Sequence, residues 1–257
     1  MSVQEWMTLT ACRPLAEGIY EMTLQGDVAS RVLAPGQFVH IRPPESLHLL
    51  RRPISICCVD QDKGELTLIF RVGGAGTALL AALSPGTKID VLGPLGNGFP
   101  LEAARAGARA LLIGGGVGVP PLYGLSRALV ERGIITSHVL GFRTAADVFY
   151  TKQFSQLGAV QLFTEDGSMG RRGFVTEATG SVMFEVAYAC GPLPMLCALE
   201  RQLAGKLLYL SLEARMACGI GACYACAVHT SDTADQKGYL RVCVDGPVFR
   251  AGEVKLC

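Results

Sequence analysis

The chain has 257 residues, half of them hydrophobic, with 23 basic against 22 acidic side chains and a mean hydropathy of +0.35. This length leaves room for two domains and a small appendix, and the near-zero net charge removes any electrostatic reason to expect nucleic acid or an anionic membrane. The longest apolar run, 110–125, is broken by five glycines and two prolines, which excludes a spanning helix there.

No basic stretch followed by an apolar one opens the chain, so the expectation is a cytoplasmic protein that covers apolar surface with a partner. Ten cysteines in that compartment are expected as thiols rather than disulfides. Cys57 and Cys58 lie in an apolar run and read as buried small hydrophobes, while Cys12, Cys197 and Cys257 carry no pattern.

Residues 1–102 read as short strands bounded by Gly, Pro, Asp and Asn. The runs PGQFVHIRPP, RRPISICCVD, GELTLIFRV and GTKIDVLGPLG predict an antiparallel β-barrel. One of them carries Arg52, Pro53, Ile54 and Ser55, where a guanidinium can clamp a diphosphate and a hydroxyl can meet a ring edge from the same strand. A solvated Arg and a capped Ser would look the same. Downstream, Ile69, Phe70 and Arg71 offer a second cation, and the GGAGT run with Gly76 and Thr77 offers backbone donors for phosphate.

From 103 to 210 the texture becomes strand–helix alternation, which predicts a Rossmann-like α/β domain with a parallel, doubly wound sheet. The run ALLIGGGVGVPPL is an apolar strand, a turn with Gly114, Gly115, Gly116 and Gly118, and then a helix with Leu122, Leu125, Leu129 and Val130 on one face. That context suits a pyrophosphate at a helix start, although position 119 is Val and the G-x-G-x-x-G pattern is not met; a ligand-free connection remains the alternative. Glu165 and Asp166 end a later strand where a ribose would sit. Arg143 would instead receive a 2′-phosphate, so the nicotinamide preference stays open. Cys190 ends another strand, either facing the ligand crevice or as a buried structural thiol.

The segment 211–257 has no clear period but holds Cys218, Cys223, Cys226 and Cys243 in the order C-x4-C-x2-C-x16-C. The first spacings are those of plant-type [2Fe-2S] sites, and Gly219 and Gly221 let the backbone wrap an inorganic core. Arg215 and Arg241 are available to offset its charge. Structural zinc is the alternative, although it usually needs a second C-x2-C unit or histidines. Cys243 is preferred over the terminal Cys257 as fourth ligand. About 45 residues cannot bury enough surface to stand alone, so the segment must lie against the rest of the chain or a partner.

The order R-P-I-S, G-G-G-V-G-V-P-P with C-G-P, then C-x4-C-x2-C with DGPVF, resembles the ferredoxin–NADP reductase superfamily. Within it, the nearest likeness is to the electron-transfer subunits of class 1B dihydroorotate dehydrogenases. The resemblance implies a multidomain α+β architecture with FAD on the barrel, NAD at the second domain and one [2Fe-2S] cluster on the C-terminal segment. It assigns Arg52, Pro53, Ile54, Ser55, Ile69, Phe70, Arg71, Gly76 and Thr77 to FAD, and Cys218, Cys223, Cys226 and Cys243 to the cluster. It leaves Cys190 to position the nicotinamide and tips the nucleotide preference to NAD. It further implies an FMN-containing catalytic subunit as partner, as a heterotetramer of two of each, serving pyrimidine biosynthesis. The alternatives are an FAD and [2Fe-2S] reductase subunit of another oxidoreductase, or a zinc scaffold or redox sensor. Ala225 stands where the family pattern leads us to expect glycine.

Overall fold

The computed structural model describes residues 2–44, 50–232 and 237–256. Fifteen strands and four α-helices are present among them. The strands β1 (Val3–Ala16), β2 (Ile19–Gln25), β3 (Phe38–Ile41), β4 (Arg52–Asp60), β5 (Glu65–Arg71) and β6 (Lys88–Leu95) close into a barrel in the order β1-β2-β5-β4-β3-β6, with α1 (Ala75–Ala81) following β5. Alternation decides which side chains fill it. Met7 and Leu9, Met22 and Leu24, and Leu66, Leu68 and Phe70 are spaced by two and buried inside, while intervening residues face out.

The second sheet begins with β7 (Arg109–Gly115), α2 (Val119–Glu131), β8 (Ile135–Phe142), α3 (Thr151–Ser155), β9 (Gly158–Thr164) and β10 (Arg171–Arg172). It continues through β11 (Val186–Cys190), α4 (Leu193–Gln202) and β12 (Leu207–Ser211). Strand order is β10-β9-β8-β7-β11-β12, all parallel, so the direction of winding reverses between β7 and β11. In open α/β sheets ligands bind outside the carboxyl ends of the strands at that reversal. The central strand β11 is buried at all five residues, as a strand covered on both faces must be. Helix α2 starts on Pro120 and Pro121, whose missing N–H groups cost nothing in a first turn, and buries Leu122, Leu125 and Leu129. The expected Val130 is not part of that face: it is 37% exposed, because its position has rotated past the edge of the stripe.

The C-terminal residues form β13 (Ala227–His229) paired with β14 (Tyr239–Arg241), and then β15 (Val248–Arg250). β15 adds to the edge of the parallel sheet, antiparallel to β12. The segment also docks on the barrel: Asn97 Nδ2 donates to the carbonyls of Val244 and Asp245 at 3.0 and 3.1 Å, and the Asn97 N–H to Gly246 at 2.7 Å. An apolar cluster containing Ile19, Cys57 and Ile69 from the barrel and Val119, Leu122 and Tyr188 from the sheet domain joins the two large units.

No described helix is long and apolar enough to cross a membrane. Cys197 is in a disulfide, a departure from the expectation of reduced thiols, and eight other cysteines are free. Cys257 lies outside the described residues.

Candidate functional site: three cradles on one seam

On the barrel, β4 presents the first cradle. The Arg52 guanidinium lies against Gly76, so closely that a Cβ there would be 2.5 Å from its Nε and Nη2. A glycine there lets the guanidinium lie flat on the β5–α1 connection, an arrangement that fits a diphosphate clamp. Thr77 closes the same turn: its hydroxyl accepts from Gly73 N–H and donates to the Gly74 carbonyl, both at 3.0 Å. Pro53 and Ser55 are half-buried on the outer face of β4.

Ile54 and Phe70 point into the barrel core, the latter stacked on Tyr20 at 6.3 Å, and Ile69 is buried in the seam with the sheet domain. At Ile54 and Phe70 the side chain is therefore turned away from the outer face of the barrel. Arg71 reaches Asp147 of the sheet domain at 3.3 Å, so its charge is already paired. Burial works to raise the Asp147 carboxyl, but the Thr144 hydroxyl, Arg143 and Arg71 together hold it below the usual range.

The second cradle is the glycine turn. Strand β7 ends at Gly115, and the backbone turns through Gly116–Gly118 into α2. A Cβ added at Gly114 would stand 2.8 Å from the Val119 side chain, one at Gly115 2.8 Å from Met195, and one at Gly118 against the backbone of Cys190 and Gly191, whereas Gly116 serves the turn through its φ of 52°. Cys190 pairs in register with Gly114, so the residues singled out from two distant stretches share the carboxyl edge where the winding reverses.

The Cys190 thiol is 3% exposed. Burial, and next the charge of Glu213, push it up to about 12, against a bond with Ser211. A thiol held protonated shapes a pocket and does not act as a nucleophile. Ser211 and Glu213 are neighbours that local pattern does not reveal, because they lie at the end of β12 and just beyond it, about twenty residues after Cys190. Glu165 and Asp166 form an exposed turn in which Asp166 accepts from the Ser168 N–H and hydroxyl, leaving Glu165 as the freer carboxylate. Arg143, 66% exposed, leans on Asp147 at 3.5 Å.

The third cradle is the cysteine loop. The free thiols of Cys218 and Cys223 lie beside each other, and those of Cys226 and Cys243 form a second pair. Among the described residues no three Cys, His, Asp or Glu side chains converge on a point that would hold a single metal ion. Two neighbouring thiol pairs in the C-x4-C-x2-C order suit a two-iron centre, in which each iron takes two thiolates.

The loop is shaped for a compact guest by Gly219 (φ 72°) and Gly221 (φ 81°). Tyr224 (φ 59°) carries the third left-handed turn, so Ala225 stands without the strain that a missing glycine would cause. Ala222 N–H points to Cys218 Sγ at 3.3 Å. Burial works against ionisation, yet the Ile220 N–H, the Cys223 thiol and the Cys223 and Ala222 N–H groups bring Cys218 down to about 7. At Cys243, burial and then Cys226 push the thiol up to about 12.

Cys226 and Cys243 are buried, whereas Cys223 is exposed between Ile220 and Tyr224, themselves 54% and 51% exposed. Arg241 ties the loop, donating to the Gly221 carbonyl at 3.0 Å and pairing with Asp245 at 3.1 Å, so its charge is met inside the chain.

Between the first and third cradles lies His40, which the sequence reading passed over. It is fully buried, and neither ring nitrogen reaches a hydrogen-bond partner, although the backbones of Cys218 and Arg51 run beside it. Burial, and then the Arg51 charge, lower it to about 4, so the ring is neutral. Leaving a buried donor unmet costs about 1–3 kcal/mol. Arg51 itself is committed to Asp90 Oδ2 at 2.7 Å and to the carbonyls of His40 and Asp90.

A flavin-type barrel, a reversed parallel sheet with a glycine turn, and a four-thiol loop docked on both define a reductase of the ferredoxin-reductase fold. Residues 16–99 match the oxidoreductase FAD-binding domain, and residues 213–255 match the iron–sulfur cluster binding domain of dihydroorotate dehydrogenase B. The chain belongs to the family of electron transfer subunits of dihydroorotate dehydrogenase B. It is 53% identical over 261 residues to such a subunit of Geobacillus sp. (strain WCH70), covering all of both chains. It is 53% identical over 256 residues to that of Bacillus caldolyticus, covering 98% of this chain and 99% of the relative. Among solved structures it resembles a chain of NADH-dependent reduced ferredoxin–NADP oxidoreductase, a structure that bears on flavin-based electron bifurcation. The TM-score is 0.85 at 30% identity, over 98% of this chain and 90% of that one.

Proposed function

We propose that this chain passes electrons from a dihydroorotate-oxidising, FMN-containing subunit to NAD+, with its three cradles holding the relay. The observation that carries the reading is the docking of two thiol pairs onto the same seam that bears the flavin-type strand and the glycine turn. When bound, the cluster supplies single-electron conduction, and FAD supplies the conversion between single electrons and the hydride that NAD+ accepts.

The protein's part is to hold, orient and exclude. Arg52 and the Gly73–Thr77 turn clamp the FAD diphosphate, and Pro53 and Ser55 line the ring on the outer face of β4. Ile54, Ile69 and Phe70 offer backbone contacts. Arg71 joins the barrel to Asp147 and so fixes the angle between the flavin and nucleotide units. Gly114, Gly115, Gly116 and Gly118 bring backbone close to the dinucleotide, Cys190 packs against the nicotinamide as a neutral thiol, and Glu165 takes the ribose hydroxyls, which favours NAD. Cys218, Cys223, Cys226 and Cys243 would hold the cluster through their thiolates. No side chain of this chain is needed as an acid or base toward dihydroorotate.

The exposed lip formed by Ile220, Cys223 and Tyr224 is where the catalytic subunit meets the chain. The assembly is a heterotetramer of two of each subunit, working in the cytoplasm in pyrimidine biosynthesis. Co-expression with that subunit tests the reading. Cys223→Ser abolishes dihydroorotate-dependent NADH formation while NADH-to-dye reduction at FAD persists; survival of the first activity overturns the relay.

A further inference from the structure

We propose that His40 donates a hydrogen bond to the iron–sulfur group held by the cysteine loop and is thereby the polar link between the flavin strand and the cluster. The inference rests on the proposed function and adds a residue that neither the spacing nor the relatives' names assign.

Register places the ring. In the antiparallel pair of β3 with β4, Phe38 lies opposite Ser55 and His40 opposite Pro53. Paired residues point to the same face of a sheet. Val39 and Ile54, the pair between them, are buried in the barrel core, so Phe38, His40, Pro53 and Ser55 share the outer face. His40 therefore stands on the face that carries the flavin-type residues.

The cysteine loop closes over the other side of the ring. A Cβ on Gly219 would sit 2.6 Å from His40 Nδ1 and 3.2 Å from Leu95, so the glycine next to Cys218 rests directly on the imidazole. The ring thus fills the gap between β4 and the first thiol pair. An apolar side chain would fill that gap without leaving polar atoms unmet. A histidine carries at least one N–H in either protonation state, and buried polar groups in folded proteins are nearly always satisfied.

Within the chain the nearest acceptors are the backbones of Cys218 and Arg51, which come close to the ring but stop short of a full hydrogen bond. The Arg51 side chain has only donors, and they go to Asp90 and to the carbonyls of His40 and Asp90. The other unmet buried oxygen among the described residues is Asp90 Oδ1, whose carboxylate is held through Oδ2 by Arg51 and Gln4. Sulfur atoms of the cluster and its thiolates are the acceptors that the loop brings to this side, and hydrogen bonds to them are a known lever on cluster potential.

The test uses the holosubunit, first assayed for iron and labile sulfide. With the histidines labelled with 15N, pulsed electron paramagnetic resonance of the reduced cluster shows a weak 15N coupling that disappears in His40→Leu, a replacement that removes the ring nitrogens and keeps an apolar filling. At a fixed NADH/NAD+ ratio the reduced fraction of the cluster shifts about tenfold toward oxidised in His40→Leu, and His40→Gln, which keeps a donor, restores part of it. If iron is present but the wild-type spectrum lacks the coupling, or Leu and Gln leave the equilibrium alike and unchanged, His40 serves packing or Asp90 and the inference falls while the proposed function stands. If iron is absent, the proposed function itself falls. The coupling in the unaltered protein decides the matter even where a variant does not fold.

Discussion

In the barrel, six paired strands enclose a core of their own, with Met7, Leu24, Leu66 and Leu68 all at zero exposure. The C-terminal segment has three strands of three residues each and draws its order from Arg241, from Asn97 of the barrel and from the sheet edge it joins. Both regions hold a redox group, but one is built before the group arrives and the other around it. Metal binding supplies folding free energy where a preformed site is weak. The barrel should therefore fail through its internal bonds, and the segment through its ligands.

The largest effect is expected at Arg51→Met. It leaves the Asp90 carboxylate, 4% exposed, without its cation, at a cost of about 3–5 kcal/mol. Chemical unfolding of the holoprotein measures it, and a loss below about 1 kcal/mol would erase the contrast drawn here. Next comes Gly219→Ala, which meets both a left-handed φ of 72° and the His40 ring at 2.6 Å. Iron per chain falls severalfold while FAD content and the main unfolding midpoint stay close to the parent. A matched loss of both cofactors would show the two regions to be one unit.

Asp147→Asn probes the joint between barrel and sheet domain. A carboxylate held below its unfolded value contributes stability that is present above that value, about 3.9, and lost as pH falls through the depressed folded one. The substitution should cost about 1–3 kcal/mol at pH 7 and converge with the parent near pH 2. A constant gap across that range would contradict the assignment. The smallest effect is at Lys63→Ala, whose exposed pair with Asp60 at 3.2 Å should leave the unfolding midpoint unmoved.

Much of this was legible from local pattern. The C-x4-C-x2-C spacing, the R-P-I-S strand and the glycine turn each sit within a dozen residues, and short-range geometry constrains them. The barrel and the parallel sheet followed from period and punctuation.

What escaped was decided by contacts far apart in sequence. The division of the thiols into 218/223 and 226/243 depends on how the loop folds back through β14. The return of β15 to the sheet depends on an edge that the alternation does not reveal. Arg71 and Arg143, offered to ligands by their positions, are drawn to Asp147. His40 looked like an ordinary strand residue until the cysteine loop closed over it, and Ser211 and Glu213 until β12 aligned beside Cys190.

The two-iron assignment is tested most directly by the metal and sulfide content of anaerobically purified protein, together with its spectrum after reduction. The account predicts about two irons and two labile sulfides per chain and a paramagnetic signal from one unpaired electron. One zinc per chain with no labile sulfide would contradict it.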